Sequence, residues 1–113
     1  MVSTKAVGAV KVVSLEKSFG EWPVLWNLDL SVVWGETLVL LGANGAGKST
    51  LLRILATHIR ADRGSVVVAD RNARTHPEEV RRRIGVVGHR SLLYDALTCR
   101  ENLTYYGQLF GIK

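Results

Sequence analysis

The amino-acid sequence predicts an α/β domain: a strand-rich N-terminal part, a strand–loop–helix unit, then shorter strands and helices. Three observations carry this. Residues 24–33 alternate Leu28, Leu30 and Val32 with Asn27, Asp29 and Ser31, the period of two of a half-buried strand. Residues 37–41 form a continuous largely apolar run, as expected of a strand buried on both faces. Residues 49–59 then carry Leu51, Leu52, Leu55 and Ile59 at helical spacing, predicting a helix with these four turned inward.

The other elements follow in order. Residues 10–15 are a β-branched run and predict an earlier strand, and Gly35-Glu36 predicts a turn. Ala61-Asp62-Arg63-Gly64 breaks the helix, and residues 66–69 and 84–88 predict two more short strands, the second of them buried. Between them, HPEEVRRRIG reads as a short amphipathic helix with acids in its first turn and bases in its last, as the helix dipole favours. Residues 100–110 begin another helix, after a loop holding Asp95 and Thr98.

Composition bounds what such a chain can be. With 113 residues, 47% of them hydrophobic and 22% charged, it is an ordinary globular chain of one domain at most and not a disordered or fibrous one. No apolar run reaches the roughly 18 residues that cross a bilayer. Lys5 and Lys11 interrupt the apolar N-terminus, which does not read as a signal peptide. The single cysteine, Cys99, excludes an internal disulfide framework and fits a reducing compartment, so a cytoplasmic location is expected. The net charge of +5 is unevenly placed: residues 1–52 and 101–113 each balance, whereas residues 53–100 carry ten arginines against five acids. That excess admits a nucleic-acid patch, but the placement of Arg81-Arg82-Arg83 at a helix end favours a solvated face, and no nucleic acid is expected as a partner.

The chemistry lies in Gly42-Ala43-Asn44-Gly45-Ala46-Gly47-Lys48-Ser49, which matches the phosphate-binding loop pattern G-x-x-x-x-G-K-[ST]. Glycines allow the tight turn that aims successive N–H groups at phosphate oxygens, and a helix starting near Gly47 adds its positive end. Lys48 supplies a point charge to the β- and γ-phosphates, and Ser49 is placed to ligate Mg²⁺. The bland alternative is a glycine-rich turn with one solvated lysine; the preceding apolar strand and the following periodic helix favour the phosphate reading.

The flanking residues resemble the ATP-binding cassette (ABC) ATPase family. Ser18-Phe19-Gly20, Val24-Leu25, Gly35-Glu36, the loop with Ser49-Thr50-Leu51-Leu52, Asp62-x-Gly64 and IGVVGHRSLLYDALTCRENL carry the likeness, in order, from about residue 10 to residue 110. The resemblance implies a P-loop NTPase core of ABC type with an N-terminal antiparallel β-subdomain. It also implies ATP and Mg²⁺ as cofactors, with Gly42, Asn44, Gly45, Ala46, Gly47, Lys48, Ser49 and Thr50 around the phosphates. It implies that Phe19 stacks on adenine, where without it Phe19 would read as a core or turn aromatic.

The likeness further implies an ATP-hydrolysing subunit that dimerises with a second ATP-binding subunit. That pair would energise a separate membrane permease from the cytoplasmic face. A soluble ABC ATPase of translation or DNA repair is the alternative, with the arginine excess in its favour; a nucleotide-binding piece without turnover is another. Family cassettes run to about twice this length, so the chain reads as an N-terminal portion ending before the Walker B strand. On that reading it comprises a β-subdomain and P-loop core over about 1–91 and the start of a helical subdomain over about 92–113. Asp70, which follows a strand-like run, reads as a turn residue and not as a Walker B aspartate. The chain departs from the family at His89, where a glutamine usually stands. Imidazole is a poor ligand for Mg²⁺, so a catalytic role at His89 would run through a hydrogen bond to water. Gly88-His89 with the helix that follows resembles the haem-exporter subunit of cytochrome c maturation.

Overall fold

The computed structural model describes residues 8–42, 47–88 and 95–112. A four-stranded antiparallel sheet, in the order β2-β1-β3-β4, dominates it: β1 (Gly8–Phe19), β2 (Trp22–Val33), β3 (Arg63–Val68) and β4 (Arg71–Asn72). Helix α1 (Lys48–Leu55) lies between β2 and β3 in sequence; α2 (Pro77–Arg81) and α3 (Cys99–Leu109) follow the sheet.

Both hairpins have two-residue turns of the kind that match strand twist. Phe19 pairs with Trp22 across Gly20-Glu21, where Gly20 takes a positive φ of 62° at the first central position. Val68 pairs with Arg71 across Ala69-Asp70, both at positive φ, so Asp70 is a turn residue as its sequence context predicts.

The long hairpin is kept facing the core by two bulges. Residues three apart in a regular strand face opposite sides, yet Val12 and Leu15 are both fully buried. The pairing of Val12 with Leu30 and of Leu15 with Leu28 leaves one extra residue on β1, and Ser14 takes a φ of 50° there. Asp29 Oδ1 accepts the Ser14 N–H at 2.7 Å. A compensating bulge on β2, with Asn27 at φ 47°, brings Leu25 and Leu28 to the same side. From there the strand follows its period: Leu28, Leu30 and Val32 are half-buried, while Asn27, Asp29 and Ser31 are exposed.

Beneath the sheet, Val12, Leu15, Leu25, Val66 and Val68 meet Leu51 and Ile54 of α1 and Val80 of α2 in one core. Val80 alone anchors the five-residue α2, and burying a side chain of that size is worth about 1.5–3 kcal/mol. An Arg71–Glu79 ion pair at 2.8 Å adds a rim contact. Helix α3 starts with a full capping box: Thr98 accepts from the Glu101 N–H at 3.1 Å, and Glu101 Oε1 from the Thr98 N–H at 2.9 Å. Those contacts hold the Glu101 carboxyl below the usual glutamate range.

Three sequence expectations need correction. Residues 37–41 and 84–88 are not strands: among the described residues neither run pairs with another, and Leu41 and Val87 are 88% and 99% exposed. A continuous apolar run makes a buried strand only where neighbours supply ladder partners and cover; here none of the described residues supplies ladder partners, and only Leu40 and Ile84 of the two runs pack against the core. Helix α1 ends at Leu55, short of the expected residue 59, because Thr57 turns to a φ of 66°. Its buried face is Leu51 and Ile54; Leu52 points to solvent, and Leu55 and Ile59 are half-buried. The i, i+3 pair Leu51 and Ile54 lies nearest the sheet, so the buried stripe is turned away from the expected face and leaves Leu52 outside it.

Gly64 shows how tightly β3 sits on the β1 bulge. It has a φ of 96°, and a Cβ there would stand 2.4 Å from the Ser14 carbonyl oxygen and 2.7 Å from Leu15 Cα. Gly64→Ala is expected to destabilise the chain by about 2 kcal/mol or more, since both strain and backbone overlap oppose it. A urea midpoint unchanged from wild type would contradict this close approach.

Candidate nucleotide-binding site

Helix α1 begins where the phosphate loop ends. Gly47 is its N-cap at φ 92°, and the first helical bond runs from the Leu51 N–H to the Gly47 carbonyl at 2.8 Å. Among the described residues no side chain caps this end, so the N–H groups of its first turn are left for an outside acceptor, as at helix N-termini that bind anions. Gly47 is buried: a Cβ there would lie 2.7 Å from Leu25 Cδ2 and 3.1 Å from the Val24 carbonyl oxygen. The loop's exit is thus pressed onto β2.

Lys48 folds back over the loop. Its Nζ donates to the Gly42 carbonyl, six residues upstream, and so joins the loop's entry to its exit. Lys48 and Thr50 are half-buried, and Ser49 is exposed. The structure therefore brings together Gly42, Gly47, Lys48, Ser49 and Thr50. Asn44, Gly45, Ala46 and His89 lie outside the described residues.

The sheet places Phe19 near this corner. Leu25, which packs against Gly47, is the cross-strand partner of Lys17, and Phe19 is two residues further along β1, roughly 7 Å at strand rise. The Phe19 ring is 46% exposed. Lys17 Nζ sits 5.2 Å from its centroid, within cation–π range.

Asp62 holds this end of β1. Its carboxylate accepts from the Ser18 N–H at 2.7 Å and from Lys17 Nζ at 3.4 Å, while its own N–H donates to the Glu16 carbonyl at 2.9 Å. The Ser18 hydrogen bond, with a smaller share from Lys17, keeps the Asp62 carboxyl below the usual aspartate range. The sequence marks Asp62 as part of a helix-breaking turn and of the family likeness but not as a partner of Ser18, because a contact across 44 residues leaves no local periodicity. Trp22, paired with Phe19 and 79% exposed, was also not singled out.

The arginine-rich segment is partly turned inward. Arg81 Nε donates to Thr57 Oγ1 at 2.7 Å, and Arg83 reaches the Ala69 carbonyl at 3.3 Å. Two of the three consecutive arginines thus make hydrogen bonds within the fold.

Residues 25–111 match the family described as ABC transporter. The chain belongs to that family. It is 44% identical over 104 residues to a daunorubicin resistance ATP-binding protein of Streptomyces coeruleorubidus, covering 92% of this chain and 32% of that protein. It is 41% identical over 105 residues to the Nod factor export ATP-binding protein I of Bradyrhizobium diazoefficiens, covering 93% and 34%. A solved ATP-binding subunit of an ABC transporter superposes with a TM-score of 0.82 at 28% identity, over 93% of this chain and 44% of that one. The chain spans about a third of the length of these curated relatives. ABC membership accounts for the antiparallel N-terminal sheet feeding a P-loop helix. Among the described residues, no helix is long and apolar enough to cross a membrane.

Two outcomes test this corner. Asp62 has a lowered carboxyl pKa, so its contribution is complete above the ordinary aspartate range and is lost as pH falls through the lowered value. Urea midpoints of wild type and Asp62→Ala should therefore differ at about pH 7 and converge at about pH 2; a gap that persists in acid would remove the carboxylate from the account. Gly47→Ala should lower stability by about 1–3 kcal/mol, since it strains a positive φ and overlaps Leu25. Full stability of that variant by the same titration would show that the loop does not rest on β2.

Proposed function

We propose that this chain binds MgATP as the phosphate-loop part of an ABC exporter's ATP-binding subunit. The observation that supports it is the start of α1: an N-terminus without a side-chain cap, on a glycine seated against β2, with Lys48 reaching across the loop. In this reading the backbone of Gly42, Asn44, Gly45, Ala46, Gly47 and Thr50 surrounds the phosphates. Lys48 exchanges its loop carbonyl for the β- and γ-phosphates. Exposed Ser49 offers its hydroxyl to Mg²⁺, a hard cation that suits an oxygen donor. Bound Mg²⁺ would neutralise phosphate charge. Phe19 offers a ring face to adenine, and His89 acts through a hydrogen bond to water. Residues 1–91 form the β-subdomain and P-loop core and residues 92–113 open the helical subdomain.

In the complete protein, we further propose, two such subunits hydrolyse ATP at the inner membrane face and drive a separate permease. The relatives' names concern drug resistance and Nod factor export. Export of a small-molecule cargo is therefore favoured, while the haem-export resemblance draws no support from them.

Calorimetric titration with MgATP tests the reading. Lys48→Ala should abolish most binding while circular dichroism stays wild type; unchanged affinity would overturn the phosphate role. Ser49→Ala should weaken the Mg²⁺ dependence more than nucleotide binding itself. Phe19→Ala should raise the ATP and GTP dissociation constants together, by about tenfold, because stacking on a base is worth about 1–3 kcal/mol and is indifferent to base identity. Phosphate release by the 113-residue chain should not exceed its Lys48→Ala control, as it offers no assignable acidic Mg²⁺ ligand beyond the loop. Lys48-dependent turnover would show that it carries complete catalytic machinery.

A further inference from the structure

A cavity of about 100 Å³ opens at the far end of α1 from the phosphate loop, between the C-terminal end of the helix, the β3–β4 hairpin and the start of α2. On the same measure one water takes roughly 10–15 Å³, so a polyatomic ligand group has room there. Arg60, Arg74 and Arg81 line it together with Thr57 and Asn72, and no carboxylate does. Two nearby acids are engaged elsewhere, Asp62 with Lys17 and the Ser18 N–H and Glu79 with Arg71, and exposed Glu78 does not line the cavity. Among the described residues, none of the three lining arginines has an ion-pair partner. Arg81 is held at the wall by its bond from Nε to Thr57 Oγ1, which leaves the two terminal nitrogens of its guanidinium for another acceptor.

Three arginines bordering one cavity give it a positive potential that favours an anion. Their planar donor forks match the oxygens of a phosphate group in size, charge and geometry. We propose that this cavity is a second anion site, separate from the phosphate loop, that takes a phosphate monoester or inorganic phosphate between Arg60, Arg74 and Arg81. It uses three members of the segment that carries the whole of the chain's positive excess. It stands whether or not the loop binds ATP, since the two sites share no residue.

The test removes the loop first. In a Lys48→Ala background, inorganic phosphate is titrated against the 113-residue chain by calorimetry. A second arm sediments the same protein with phosphatidylcholine vesicles with and without phosphatidic acid, whose headgroup presents a phosphate monoester on a membrane. Arg60→Gln and Arg74→Gln are added together, because neither side chain has a described structural hydrogen bond, whereas Arg81 braces Thr57. Saturable phosphate binding that weakens roughly tenfold or more on the double substitution supports the site with a free ligand. Vesicle binding that requires phosphatidic acid and falls by the same factor supports it with a lipid ligand. Circular dichroism checks that the double variant is folded, and Arg74→Lys, which keeps the charge but not the fork, should bind at an intermediate level. Absence of binding in both arms, or binding indifferent to the arginines, would overturn the proposal.

Discussion

The contact between Gly47 and β2 governs the arrangement on which the candidate site depends. A phosphate loop needs its helix N-terminus held at a fixed place, and here the holding is steric: Leu25 Cδ2 and the Val24 carbonyl occupy the space a Cβ would need. Leu25 can serve because the bulge at Asn27 turns it to the same side as Leu28, and because Leu51 and Ile54 continue the packing along α1. The long hairpin therefore does more than shield the core. It sets where the loop ends, and through the Lys17–Leu25 pairing it sets how far Phe19 lies from that end.

Bulges at Ser14 and Asn27 make the hairpin's geometry possible, and each is supported from outside its own strand. Asp29 satisfies the Ser14 N–H, and Gly64 allows β3 to approach the bulged backbone where a larger residue would overlap it. Asp62, two residues before Gly64, then ties the segment after α1 back to Ser18 and Lys17. The segment Ala61-Asp62-Arg63-Gly64 thus leads into β3 and braces the strand that carries Phe19.

Charge is distributed with a comparable division of labour. The N-terminal half balances its charges, and the arginine-rich half uses Arg71, Arg81 and Arg83 for contacts within the fold. Such contacts at the rim are individually weak, so the larger stabilising contributions come from Val80 and the sheet residues beneath them.

Much of this was legible in the sequence where the signal is local. The spacing from Gly42 to Gly47, followed by Lys48 and Ser49, marked the start of α1, since Gly47 at its N-cap takes the positive φ that glycine adopts most readily. The alternation of Leu28, Leu30 and Val32 with Asn27, Asp29 and Ser31 and the Gly35 turn were equally readable, since each depends on neighbours within a few positions. Tertiary structure alone decided that Val12 and Leu15 share a face, that Asp62 reaches Ser18, and that Ile54 and not Leu52 meets the sheet. It also decided that residues 37–41 and 84–88, apolar enough for buried strands, pair with no strand among the described residues and are exposed apart from Leu40 and Ile84. The physical reason is common to all of these. Hydrophobicity and turn chemistry are properties of a segment, whereas burial and strand pairing are properties of what lies beside it.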